Sequence, residues 1–246
     1  MLRNNLKLTR LYRLTLTQFV LLMSFLNFVF FHFPFYSFVF NNVDYKSFNG
    51  IIIITSLVIL MLVVNAFVFY LIFFLSRLVG KFLLVLFFII NAIAVYFINT
   101  YHVIIDESMI GNVINTNYEE ASSFFSIKLI LYIILLGVIP GIYIIKAKII
   151  NVTLKRFLIT SSLTLLFIAI LAFANASHWL WIDKNSKQLG GLAMPWSYSV
   201  NTSLFYIHKH QKNKKEILLP DATIKDSVKS VVVLVIGESA RKQNFS

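Results

Sequence analysis

The 246-residue chain contains no cysteine, only 4 prolines and 8 glycines, and just 10 acidic residues. Without cysteine it can build neither a disulfide framework nor a thiolate metal site. Charged residues amount to 13% of the chain, about half the roughly 25% of an ordinary soluble domain, which excludes that class. Apolar side chains fill the difference: 59% of residues are hydrophobic and the mean hydropathy is +0.81. This is the composition of an integral membrane protein.

The sparse charges locate the bilayer. Residues 14–43 lie between Arg13 and Asp44, 47–76 between Lys46 and Arg77, and 82–105 between Lys81 and Asp106. Each interval exceeds the roughly 20 residues a helix needs to cross the hydrocarbon core. A fourth interval, 124–146, carries Lys128 near its start, where the lysine stem lets the ammonium reach the interface. A fifth runs over 157–182, between Arg156 and Asp183. Five transmembrane helices are therefore expected within residues 1–182.

Lys and Arg in short flanking segments set the orientation. Arg3, Lys7, Arg10, Arg13, Arg77, Lys81, Lys146, Lys148, Lys155 and Arg156 all fall at one end of the expected bundle. At the other end the loops hold Lys46 and, between residues 101 and 123, no Lys or Arg at all. The expectation is a cytoplasmic N-terminus, with the acidic loop of Asp106, Glu107, Glu119 and Glu120 and everything after about residue 183 on the outer side. The net charge of +12 is largely this orientation signal, so no nucleic-acid partner is expected. The first apolar run is too long for a signal peptide and reads as a retained anchor.

Residues 183–229 read as a connector. From Trp179 to Glu216 aromatic residues alternate with lysines and histidines, the composition of a segment at a lipid headgroup surface or of a solvated basic linker. A short helix is expected near Tyr198–His210, and residues 216–230 read as a linker. The unbroken apolar run Val231–Ile236 then suggests a strand covered on both faces, as in a parallel sheet with helices on either side. Functional groups collect beyond the carboxyl ends of such strands, and Glu238 stands two residues past this one.

Two motifs carry a resemblance. The first is Gly237-Glu238-Ser239-Ala240-Arg241 after the strand; the second, in the acidic loop, places Asp106, Met109, Asn112, Thr116 and Glu120 in the spacing D-x-x-M-x-x-N-x-x-x-T-x-x-x-E. Asn112, Thr116 and Glu120 are four apart, so on a continuous helix they would form one polar row of amide, hydroxyl and carboxylate. On spacing alone that row is a solvated helix face. Taken with five spans and an outward C-terminal region, the motifs resemble the phosphoethanolamine transferases of lipid A and lipopolysaccharide core, members of the alkaline phosphatase and sulfatase superfamily.

The resemblance implies an α-helical polytopic membrane domain of five transmembrane helices, a connector, and in residues 230–246 the truncated start of an α/β sulfatase-like domain. It implies zinc as cofactor with Glu238 as a ligand, and Asn112, Thr116 and Glu120 as the substrate-binding row for an ethanolamine headgroup. The donor would be phosphatidylethanolamine and the acceptor lipid A or lipopolysaccharide core, in a bacterial inner membrane with the C-terminal region periplasmic. In the family a zinc-activated Thr carries the group covalently between donor and acceptor. That Thr and the remaining zinc ligands lie downstream of the Gly-Glu-Ser segment, so this chain is expected to assemble no catalytic residue of its own and to be inactive alone.

Other readings compete. A glycerophosphotransferase of lipoteichoic acid synthesis shares the superfamily and plan, though the D-x-x-M-x-x-N spacing favours the first family. A non-catalytic anchor or partner-binding membrane protein is the alternative of a different class; a transporter is disfavoured, since no internal repeat and no ionised residue inside a span is present. Among remaining polar residues, His32 is expected at the interface, His102 beside the acidic loop with a water partner, and His178 in an aromatic belt. Asn65, Asn91 and Asn175 are expected to make interhelical hydrogen bonds. His208 and His210, two apart, fit no helical metal pair.

Overall fold

The computed structural model describes residues 13–212. The expected strand at 231–236, Glu238 and the start of the sulfatase-like domain lie outside the described residues.

Helices dominate because a bilayer offers no partner to backbone N–H and C=O groups, which must be satisfied inside each segment. Strand β1 (Arg13–Thr15) leads into α1 (Leu16–Phe31), which bends by 64° into α2 (Phe33–Asn42). Pro34 in the first turn of α2 has no N–H to continue the α1 ladder, and the break falls at His32. Then follow α3 (Phe48–Leu75), α4 (Arg77–Tyr101), α5 (Glu107–Asn115), α6 (Tyr118–Ser123) and α7 (Ile127–Lys146). Strand β2 (Lys148–Ile150), α8 (Leu154–Ala174), α9 (Trp179–Lys184), α10 (Ser186–Leu192) and α11 (Trp196–Lys212) complete the described chain. Helices α3, α4, α7 and α8 are each long and apolar enough to cross a membrane, and the bent α1–α2 pair makes up to five.

Side-chain caps mark the helix starts. Thr15 and Gln18 form a reciprocal capping box, and Ser47, Ser76, Asp106, Asn117, Ser126 and Thr153 each accept a first-turn amide. Helix α7 widens over Ile133–Val138 just before Pro140, whose missing N–H frees a carbonyl one turn back. The same region packs closest: a methyl on Gly137 would lie 3.1 Å from Cα of Ile89, and one on Gly141 would lie 3.3 Å from Cγ1 of Val85. Gly137 and Gly141, four apart, thus let α7 and α4 touch backbone to side chain.

At one end of the bundle β1 pairs in parallel with β2, Leu14 opposite Ile149. Cations there satisfy carbonyls. Lys81 Nζ donates to the carbonyls of Ile145 and Ala147 at 2.7 Å, and Arg77 Nη1 to that of Ile149 at 2.9 Å, closing the C-terminal turn of α7 with positive charge.

Deep in the bundle, polar groups converge. Asn91 Nδ2 on α4 donates to Asn27 Oδ1 on α1 at 2.8 Å, while Asn27 Nδ2 donates to the Met194 carbonyl at 3.1 Å. Trp196 Nε1 donates to Asn65 Oδ1 on α3 at 2.9 Å. The α10–α11 corner, with Ala193, Met194 and Ser197 buried, is therefore plugged between spans, where an interfacial segment was expected. His32, also expected at the interface, is fully buried, with Nδ1 3.2 Å from the Asn27 carbonyl. Asn91 makes the expected interhelical bond, whereas Asn175 donates within its own helix to Leu171. The fifth crossing ends at Ala174, short of the expected 182, because Asn175 leaves helical geometry and a tight turn at Ala176–His178 redirects the chain.

Two substitutions test this packing. Gly137→Leu should lower stability by about 1–3 kcal/mol, the usual cost of overpacking, read as thermal unfolding in lipid, with Gly137→Ala milder; an unchanged midpoint in the Leu variant would contradict the close α4–α7 contact. Asn27→Leu leaves the Asn91 amide and the Met194 carbonyl unpaired, a loss of roughly 1–3 kcal/mol. Trypsin should then cut faster after Lys184 and Lys187, and wild-type cleavage rates would refute the plug.

A clamped acidic loop as candidate headgroup site

The loop between α4 and α7 holds the sequence-predicted substrate residues. His102 ends α4 in the left-handed region at φ 55°, so the chain turns sharply out of the span and runs extended to Asp106. Asp106 then caps α5, its Oδ1 accepting from the Met109 amide at 2.9 Å. Glu107 follows in the first turn, where a carboxylate complements the helix dipole.

The connector grips the start of this loop, from Ile105 to Gly111. The Ile105 amide donates to the Gly191 carbonyl at 3.1 Å, and Asn201 Nδ2 donates to the Ile105 carbonyl at 2.9 Å. Lys187 Nζ on α10 lies 3.1 Å from Asp106 Oδ2. His208 Nδ1 on α11 sits 3.0 and 2.9 Å from the two oxygens of Glu107. Phe205 covers Gly111 so closely that a methyl there would stand 3.1 Å from the ring, and Lys209 Nζ rests 5.7 Å above the same ring. None of these pairings was read from the sequence. Their signal is a charge pattern, an Asp-Glu pair opening a short helix and a basic connector some 80 to 100 residues on, which acquires meaning only once the connector folds back.

Partial burial raises the Asp106 pKa, but the Met109 amide and the Lys187 ammonium more than offset it and leave the carboxyl below its ordinary value. A lowered pKa means the charged form is favoured in the folded state, so this contribution is complete at neutral pH and is lost as pH falls through the folded value.

The three residues expected to bind substrate do not form a single helical row. Asn112 lies in α5, Thr116 is the extended residue ending it, and Glu120 belongs to α6. The break has a local cause: Asn117 Oδ1 caps α6 by accepting from the Glu120 amide at 2.9 Å, and Thr116 Oγ1 turns back to donate to the Asn112 carbonyl at 2.7 Å. The Asn112 amide and the Glu120 carboxylate are exposed, and Thr116, half-buried, keeps its oxygen lone pairs as acceptors. The loop thus offers a carboxylate, an amide and a hydroxyl from two short helices, the first of which the connector holds. Among the described residues no three His, Asp or Glu gather closely enough to hold a metal ion.

A helical bundle with four to five candidate spans, whose acidic loop is clamped by a folded connector, defines a polytopic membrane domain. The family described as phosphoethanolamine transferase EptA/EptB matches residues 61–210. This chain belongs to that family. It is 37% identical over 227 residues to the phosphoethanolamine transferase EptA of Helicobacter pylori, covering 92% of this chain and 42% of that one. It is 30% identical over 184 residues to the phosphatidylethanolamine transferase Mcr-1 of Escherichia coli, covering 69% and 34%. The fold matches the integral membrane lipooligosaccharide phosphoethanolamine transferase A of Neisseria meningitidis with a TM-score of 0.70 at 19% identity, over 79% of this chain and 37% of that one. The chain spans about two-fifths or less of the length of these relatives.

Replacing Asp106 by Asn keeps the cap but removes the charge, costing about 1 kcal/mol or less because Lys187 is largely exposed. The stability gap between wild type and Asp106→Asn should be full at pH 7 and close as pH falls through the lowered pKa of Asp106; a gap independent of pH in thermal unfolding would contradict the ion pair.

Proposed function

We propose that the chain is the membrane-embedded part of an enzyme transferring phosphoethanolamine from phosphatidylethanolamine to lipid A or lipopolysaccharide core. Family membership supports the transferred group, and the exposed Glu120 and Asn112 with the half-buried Thr116, on a loop whose start the connector restrains, are the observation that carries the donor assignment. An ammonium headgroup suits the Glu120 carboxylate and the acceptor lone pairs of Thr116, while the Asn112 amide can donate to phosphate or ester oxygens. Holding a lipid donor in the plane where a lipid acceptor diffuses raises their effective concentration. The location is a bacterial inner membrane, with the α4–α7 loop periplasmic. The charge pattern supports this: Arg77, Lys81, Lys146 and Lys148 cluster at the β1–β2 end, and Asp106 and Glu107 at the other.

Glu238 is the proposed zinc ligand, assigned by its motif and lying outside the described residues. Zinc bound in the complete family site would stabilise phosphoryl charge. What the described residues contribute is binding and orientation of the donor, through a headgroup site that needs no metal.

Short-chain phosphatidylethanolamine should bind the lipid-reconstituted chain more tightly than its phosphatidylcholine or phosphatidylglycerol counterparts, since only a primary ammonium donates hydrogen bonds to Glu120. Glu120→Gln should weaken that binding about threefold to tenfold and leave the other two headgroups unaffected. Equal affinity for all three, or no effect of the substitution, would overturn the donor assignment.

A further inference from the structure

Helix α8 is attached unusually lightly. Phe157 near its start stacks on Phe74 at 3.6 Å between centroids and on Tyr70 at 5.4 Å, yet none of its residues from Leu154 to Ala174 is buried. Farther along, α8 stands off α3 and leaves a cleft of about 350 Å³, within the range of small-molecule sites. Its walls are apolar, with Leu57 and Leu60 of α3 facing Leu171 and Ala172 of α8. Its mouth is not. Trp179 folds over the end of α8, Nε1 donating to the Ala172 carbonyl at 3.2 Å, and Asp183 and Asn175 line the opening.

Both polar residues present acceptors without donors. Asn175 is 7% exposed, its Nδ2 donates to the Leu171 carbonyl, and its Oδ1 has no partner. Asp183 is exposed at the rim and makes no ion pair among the described residues. Inside a bilayer an apolar cleft has no hydrophobic preference for one lipid over another, because lipid tails are as apolar as the leucines lining it. Selectivity must come from the mouth. The exposed Asp183 carboxylate repels an anionic headgroup and welcomes a cationic donor, while Asn175 Oδ1 stays buried in the wall behind it.

We propose that the α3–α8 cleft is a second lipid site, taking an acyl chain of phosphatidylethanolamine with its ammonium at Asp183. The choice of ethanolamine among ammonium headgroups rests on the proposed function; the acyl cleft and its charge preference do not. The site lies beside the headgroup loop. Ser186 lines the cleft and the next residue, Lys187, holds Asp106, so a lipid stored here stands at the foot of the element that clamps α5.

Trp179 serves as the reporter. The chain is reconstituted into phosphatidylcholine vesicles containing equal fractions of acyl-brominated phosphatidylethanolamine or acyl-brominated phosphatidylglycerol, and the fluorescence component that vanishes in Trp179→Phe is followed. Quenching of that component should be about threefold stronger with the ethanolamine lipid, the preference a single exposed ion pair supports. Asp183→Asn should bring the two lipids to equality, and Ala172→Phe, which fills the cleft, should lower quenching by both. Equal quenching by the two lipids in the wild type, or a preference that survives Asp183→Asn, would overturn the proposal. Glu120→Gln should leave the quenching unchanged. Failure of the headgroup loop is then read from short-chain lipid affinity, and failure of the cleft from Trp179.

Discussion

Hydrocarbon supplies no hydrogen-bond partner, so an asparagine amide inside a span must find its partners within the protein. Asn27 meets that demand with Asn91 of α4 on one side and the Met194 carbonyl of the connector on the other. Those two bonds draw three segments remote in sequence to one point and commit the α10–α11 corner to the bundle interior. The Trp196–Asn65 bond makes the same commitment on α3. From this anchored corner α11 runs back along α5, and Lys187 and His208 reach Asp106 and Glu107 because the corner is where it is.

The two ends of the bundle solve opposite electrostatic problems. At the β1–β2 end cations find backbone carbonyls, Lys81 at Ile145 and Ala147 and Arg77 at Ile149. At the other end, of the acids that open α5, Asp106 finds the Lys187 ammonium and Glu107 the His208 imidazole. The result is a loop whose first helix is held from behind while the Asn112 and Glu120 side chains stay exposed. Light attachment of α8 complements this. A helix bearing no buried residue gives little packing but leaves room between itself and α3 beneath Asp183.

The crossings were legible in the sequence because lysines and arginines bracket long apolar intervals, and a bilayer punishes charge anywhere else. The residues proposed for the headgroup site were named from their spacing and from a resemblance to a family. Their arrangement was not legible. A four-residue period implies one helix face, yet Asn117 competes for the chain by capping a new helix, and Thr116 turns its hydroxyl to the backbone. His32 misled for a related reason: its place near the end of an apolar run suggests an interface, but Pro34 bends the span there and carries the ring into the core, against the Asn27 carbonyl. The α10–α11 corner has an interfacial composition because its neighbours are aromatic and basic, and composition is blind to depth.

By itself, then, the amino-acid sequence determined that this protein lives in a membrane, where its helices cross and which family it belongs to, since these follow from hydropathy, charge placement and motif spacing along the chain. Only the tertiary structure decided that the connector plugs the bundle, that it clamps the acidic loop, and that a cleft with a polar mouth opens between α3 and α8. The bonds responsible join single side chains to carbonyls or carboxylates across separations as large as 167 residues. Such pairings leave no periodic trace and exist only after the helices have packed.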